Sequence, residues 1–236
     1  MTKEEVAKMI DYTQLAPTAT EADILRLCDE ARSYSFAAVC VNPCYVAMAH
    51  DLLADCDVKV CTVIGFPLGA DATADKAAQA RNAVASGADE VDVVINLGLV
   101  KEGDFEAVAD EIRVVVQDSR VEAKELEKTI AVKVILETCY LTDEEIEKCC
   151  NAAKEAGADF VKTSTGFATP TAEDGSLLPN GATEHAVSLM RKTVGYTFGV
   201  KASGGIRTAA DAKKLIEAGA SRIGTSSGVK IVDEWA

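Results

Sequence analysis

Short apolar runs alternate along the chain with longer stretches whose apolar residues recur at helical spacing. The first helix is expected over 2–8, with Thr2 as N-cap and Glu5 closing a capping box. A strand over 9–13 follows, and Asp11 falls within it. Thr20 caps a helix over 21–34. Residues 36–41 read as a strand stopped by Asn42-Pro43, and 44–54 as a helix. The third strand, 58–66, ends in the turn Gly65-Phe66-Pro67-Leu68-Gly69, and a helix over 73–86 closes at Gly87. The fourth strand, 90–95, leads to a helix over 104–118, which the charged stretch 119–128 either extends or leaves as a loop. The fifth strand covers 131–137. Thr142 and Glu145 then form a capping box for a helix that ends at Gly157.

The sixth strand is short and holds a lysine. In Asp159-Phe160-Val161-Lys162-Thr163-Ser164, alternation puts Phe160, Lys162 and Ser164 on one face. A long polar segment, 164–181, precedes a helix over 182–193. The seventh strand, 198–202, exits through Ser203-Gly204-Gly205, and a helix over 208–218 ends at Gly219. Arg222-Ile223-Gly224 is the eighth strand, and a last helix starts near 227.

The units are equal, and no linker composition separates them. An echo runs through Ser86-Gly87-Ala88-Asp89-Glu90-Val91, Ala156-Gly157-Ala158-Asp159-Phe160-Val161 and Ala218-Gly219-Ala220-Ser221-Arg222-Ile223. Its glycines lie 70 and 62 residues apart, two strand–helix units each time. The pattern predicts a single-domain (β/α)8 TIM barrel over 1–236 with a short N-terminal helix, ahead of an open doubly wound sheet.

Composition narrows the function. The chain is 48% hydrophobic but only 5% aromatic, a composition suited to tightly packed parallel strands. A net charge of −14 disfavours nucleic acid or an anionic membrane as partner, but leaves room for a small anionic substrate in a locally positive pocket. No apolar run approaches the ~18 residues of a membrane span. The eight cysteines contain no C-x-x-C pair, and the charged opening Met1-Thr2-Lys3-Glu4-Glu5 is unlike a signal peptide. Together these predict a cytoplasmic protein with reduced, mostly buried thiols.

In a barrel the active site lies at the C-terminal ends of the strands. Asp11, Cys40, Asn42, Asp92, Asn96, Glu137, Lys162 and Lys201 fall there, with Lys133 nearer the start of strand five. Lys162 alone fits either an edge-strand lysine reaching solvent or a nucleophilic amine. Asp92, inside an Ile/Val strand, needs a cationic partner, which Lys162 and Lys201 can supply. Two lysines on neighbouring strands disfavour each other's charge, so one pKa should fall, and a lysine near ~7–8 is a usable nucleophile. The competing reading is a buried Lys–Asp–Lys network without turnover. The turns at Gly204-Gly205 and at Gly224-Thr225-Ser226-Ser227 follow strands seven and eight, the usual place of a barrel phosphate site. Arg207 either adds charge there or is a solvated first-turn residue. His50 and His185 read as surface or helix-packing residues. Cys40, on the face of Asn42, is expected to line the pocket.

Glu90-Val91-Asp92-Val93-Val94, Val161-Lys162-Thr163-Ser164-Thr165-Gly166-Phe167, Val200-Lys201-Ala202-Ser203-Gly204-Gly205-Ile206-Arg207 and Gly224-Thr225-Ser226-Ser227 resemble, in order, the deoxyribose-phosphate aldolase family. The resemblance covers nearly the whole chain and rests on two specific lysine motifs. It implies Lys162 as Schiff-base lysine, with Asp92 and Lys201 in proton transfer. It implies substrate or phosphate contacts from Gly204, Gly205, Gly224, Ser226, Ser227, Thr165 and Cys40. The implied reaction is reversible cleavage of 2-deoxy-D-ribose 5-phosphate to acetaldehyde and glyceraldehyde 3-phosphate, in deoxynucleoside catabolism, with no metal or organic cofactor. Ile10-Asp11-Tyr12-Thr13 departs from the family pattern, which has His at position 12, so a role for Asp11 stays open. Other readings are a Schiff-base lyase for another phosphorylated aldehyde or keto acid, and a barrel that binds a phosphate ligand without turnover. Barrel enzymes often dimerise, so a homodimer is the expected assembly, although no interface can be read.

Overall fold

A computed structural model describes residues 1–172 and 174–235. Eight parallel strands close into a barrel in sequence order, with β1 beside β8. They are β1 (Ile10–Gln14), β2 (Ala38–Val41), β3 (Lys59–Ile64), β4 (Glu90–Val94), β5 (Ala131–Ile135), β6 (Phe160–Lys162), β7 (Gly199–Ser203) and β8 (Arg222–Thr225). The helices are α1 (Lys3–Ala7), α2 (Glu21–Tyr34), α3 (Val46–Leu53), α4 (Thr73–Ala85), α5 (Leu97–Glu102), α6 (Phe105–Glu125), α7 (Asp143–Glu155), α8 (Glu184–Val194), α9 (Ala209–Glu217) and α10 (Gly228–Glu234). The TIM-barrel expectation holds. Among the described residues no helix is long and apolar enough to cross a membrane.

Local chemistry sets the boundaries. The capping boxes of Thr2 with Glu5 and Thr142 with Glu145 form as expected, and Thr20 pairs with Asp23 in the same way. The charged stretch after residue 118 continues α6 rather than looping. Helix α5 was not anticipated. Asn96, expected among the site residues, instead caps it by accepting from the Gly98 and Leu99 amides at 2.9 and 3.4 Å.

The echo has a structural cause. Gly87, Gly157 and Gly219 all end helices with positive φ (111°, 85° and 117°), which admits glycine readily. Two residues later a short polar side chain accepts from the neighbouring strand. Asp89 takes the Val60 amide at 3.0 Å, Asp159 the Val132 amide at 2.8 Å, and Ser221 the Val200 amide at 3.1 Å. Each pattern therefore fastens the start of one strand to its neighbour.

The main core lies between strands and helices. A second apolar cluster gathers Ala38 and Cys40 of β2, Cys61 and Val63 of β3, and Leu15, with Phe66 packed against it. The charged side chains of β1, β4, β5, β6, β7 and β8 group beside it. Outside the barrel wall, Lys76 of α4 is fully buried and donates to Glu111 of α6 at 2.8 Å and to the Val94 carbonyl at 2.9 Å. The Asn96 amide donates to the same carboxylate at 3.0 Å. That ion pair pins the C-terminal end of β4, the strand that carries Asp92.

Candidate active site

Asp92 sits at the centre of a buried charge network and is itself fully buried. Its Oδ2 accepts from Lys162 and from Lys201, both at 2.8 Å. Its Oδ1 accepts from Lys133 at 2.7 Å. Register explains the convergence: Asp92 pairs with Lys133 across β4 and β5, and Lys162 with Lys201 across β6 and β7. Lysine stems then carry the ammoniums inward.

The network extends beyond the residues expected from sequence. Asp11 is fully buried and binds Lys201, and it accepts from Arg222 at 2.6 Å. Glu90 pairs with Lys133 at 2.7 Å and with Arg222 at 3.0 Å. Lys133, Lys162, Lys201 and Arg222 thus face Asp11, Glu90 and Asp92: four cations against three carboxylates. Arg222 also stacks over the Phe160 ring, its guanidinium carbon 5.3 Å from the centroid. Glycines make the room. A Cβ on Gly224 would sit 2.9 Å from Lys201 Cε, and one on Gly199 2.1 Å from the Phe160 ring.

Burial pushes the Asp92 carboxyl up, but the ammoniums of Lys133, Lys162 and Lys201 outweigh it and hold its pKa well below the usual range. Asp11 follows the same logic, held down by Lys201, Arg222 and Lys133 against burial. Burial alone would discharge Lys201, yet Asp11 and Asp92 raise its pKa above that of an ordinary lysine. The expected depression of one lysine by the other therefore does not fall on Lys201. Two carboxylates hold it as an ammonium.

Above the network opens a cavity of about 410 Å³. Lys162 and Thr165 line it, together with Gly204, Gly205, Gly224, Ser226 and Arg207. Gly204 and Gly205 are consecutive residues with positive φ (87° and 79°), so that turn offers backbone rather than side chain to the cavity. Gly166, near the start of the long polar segment, and Gly181, at its end, both pack on Gly204. A Cβ on Gly204 would lie 2.7 Å from Gly181 Cα and 3.5 Å from Gly166 Cα.

Two expected ligand contacts fall elsewhere. Ser227 faces an adjoining hollow with Tyr12 and Lys230. Cys40 lies under the cavity floor, 1% exposed, in the cluster with Cys61 and Val63. Asn42 is also diverted, donating to the Ala16 carbonyl at 3.4 Å. Glu137, in the left-handed region at φ 55°, accepts from the Thr165 hydroxyl and, at 3.1 Å, from its amide. It thereby fixes the wall of the cavity just past Lys162, and burial raises its pKa. Tyr12, where His was expected, turns away from the network to donate to Glu30. His185 is exposed and meets Asp143 at 2.9 Å, in keeping with a surface role.

A family model described as DeoC/LacD family aldolase matches residues 5–234. A protein of Thermoanaerobacter sp. (strain X514) named deoxyribose-phosphate aldolase is 57% identical over 230 residues, spanning 98% of this chain and 96% of its own. One of the same name from Thermococcus kodakarensis is 55% identical over 235 residues, spanning 99% and 98%. The solved structure of the Aeropyrum pernix deoxyribose phosphate aldolase, described as a unique tetramer, superposes with a TM-score of 0.86 at 36% identity. It covers 98% of this chain and 91% of that one.

Proposed function

The chain belongs to the DeoC/LacD aldolase family, and from that membership we propose that it cleaves 2-deoxy-D-ribose 5-phosphate reversibly to acetaldehyde and D-glyceraldehyde 3-phosphate through a Schiff base on Lys162. It is an aldolase, a carbon–carbon lyase. The observation that carries the mechanistic reading is the shared oxygen: Asp92 Oδ2 accepts from both Lys162 and Lys201 at 2.8 Å. A proton leaving either lysine has the same acceptor beside it.

The steps proposed are those that membership of the aldolase family implies. The Lys162 amine adds to the C1 aldehyde and water leaves, giving an iminium. The 3-hydroxyl loses its proton, the C2–C3 bond breaks, and its electron pair flows into the iminium to form an enamine. Glyceraldehyde 3-phosphate departs. The enamine is protonated at C2, and water releases acetaldehyde and the free amine. Asp92 and Lys201 carry these protons. Lys201, held charged by two carboxylates, serves as the acid and as the positive charge beside the reacting lysine. Gly204, Gly205, Gly224 and Ser226 receive the phosphate at the far side of the cavity, with Arg207 at its margin. Such an activity belongs to the breakdown of deoxynucleosides.

Sodium borohydride with deoxyribose 5-phosphate tests the intermediate. One reduced adduct per chain is expected, mapped to Lys162 by mass spectrometry. An adduct on another lysine, or one formed only with a different sugar phosphate, would refute the corresponding part of the reading. The phosphate site has its own test. In Gly204→Ala, left-handed backbone costs about 1–2 kcal/mol for a residue with a Cβ, and the Cβ meets Gly181 Cα at 2.7 Å. KM for the phosphorylated sugar should rise about tenfold or more, while KM for unphosphorylated deoxyribose changes far less. Equal rises for both would remove the phosphate from this turn.

A further inference from the structure

Two thiols lie beneath the cavity floor, and the reaction uses neither. Cys40 and Cys61 are register partners on β2 and β3, both fully or almost fully buried. Cys40 Sγ, Cys61 Sγ and an Asp92 carboxylate oxygen all lie within 4.8 Å of one another. Cys61 Sγ is already 3.2 Å from Asp92 Oδ1. A tetrahedral zinc-type centre with bonds of about 2.3 Å to sulfur and about 2.1 Å to oxygen needs S···S near 3.8 Å and S···O near 3.5 Å. The three atoms need to move by only about 1 Å at most.

A cation already stands there. Lys133 Nζ is 2.7 Å from Asp92 Oδ1 and 3.1 Å from Cys61 Sγ. Its ammonium can withdraw without becoming an orphan, because Glu90 holds it at 2.7 Å. Charge also balances. Two thiols lose two protons as one dication enters, so the net charge of the cluster does not change.

We propose that Cys40, Cys61 and Asp92 form an inhibitory site for a soft divalent cation of the zinc or cadmium type, entered from the substrate cavity past Lys162. Thiolate donors select such ions over magnesium or calcium. The bound ion displaces Lys133 at Oδ1 and neutralises the Asp92 carboxylate, which then no longer takes a proton through Oδ2 from Lys162 or Lys201. The inhibition rests on the proton-transfer role proposed above, whereas the binding rests on the three ligands alone.

The test uses the full chain, reduced and free of oxygen, titrated with cadmium ion. Thiolate-to-cadmium absorbance in the ultraviolet and proton release are read together with turnover. One strongly bound cadmium is expected, with two protons released and turnover lost in step. Cys40→Ala and Cys61→Ala, each checked for an unchanged thermal transition, should bind that ion at least about 100-fold more weakly. Undiminished affinity in both single variants would assign the metal to the other cysteines and overturn the site. Full occupancy with full turnover would overturn the inhibition. If the wild type lacks turnover on deoxyribose 5-phosphate, the functional reading fails while the absorbance and proton release still decide the site.

Discussion

Lys162→Ala lowers turnover of deoxyribose 5-phosphate by on the order of 10⁴-fold or more, while the thermal transition stays within a few degrees of wild type. The loss follows from removing the only atom proposed to bond the substrate, because no proton shuttle replaces an electron sink. The retained fold follows from counting charges. Lys162 is one of four cations opposed to three carboxylates, and it also lines the cavity. Without it Asp92 still has Lys133 and Lys201, and the cluster stands at three against three. A buried carboxylate destabilises when it loses its last partner, not its third. Steady-state kinetics and a melting curve on the same preparation check both halves. The borohydride adduct should vanish together with turnover. Retained activity would sink the Schiff-base assignment. Unaltered ligand affinity with no wild-type turnover would favour a phosphate-binding barrel.

Much of this site is legible in the chain because polar residues interrupt otherwise apolar strands. Asp92 stands between Val91 and Val93, and Lys162 and Lys201 each follow a valine. Alternation fixes their faces, and barrel register brings them together. Arg222 and Glu90 were missed for a physical reason. They sit at strand starts, where a charge ordinarily reads as solvated, and only the reach of the Arg222 stem across the barrel unites them. The sequence leaves the role of Asp11 open, and the structure buries it against Lys201 and Arg222. The signal available was a carboxylate in the strand that must close on β8. Lys76 shows the same limit on a helix, where a lysine reads as surface until α6 brings Glu111 over it. The glycine-capped echo was visible, but its purpose was not. That Asp89, Asp159 and Ser221 hold neighbouring amides depends on which strands lie side by side. That Lys201 is held charged depends on a second carboxylate, Asp11, which only the closing of β1 on β8 brings to it.

Asp92→Asn removes activity and also weakens the fold, which separates it from Lys162→Ala. The amide oxygen fills the same place but carries no charge. Four cations then face two carboxylates inside the barrel. Leaving a buried charge without compensation costs roughly 3–5 kcal/mol, which for a chain of this length lowers the melting temperature by roughly 6–20 °C. The deficit should depend on pH with a definite sign. Asp92 has a folded pKa below its unfolded value, so its contribution is complete above about pH 4 and is lost as pH falls toward the folded value. Lys201 has a folded pKa above its unfolded value, so its contribution is complete below about pH 10 and is lost as pH rises through the folded value. The gap between wild type and Asp92→Asn is therefore widest between about pH 5 and 9. It narrows in acid, where wild-type Asp92 takes up a proton, and in alkali, where the variant can shed an ammonium proton. Melting curves across that range measure it. A gap that stays constant with pH would mean that Asp92 stabilises the barrel by packing rather than by charge. An unchanged melting temperature would mean that the remaining carboxylates suffice for all four cations.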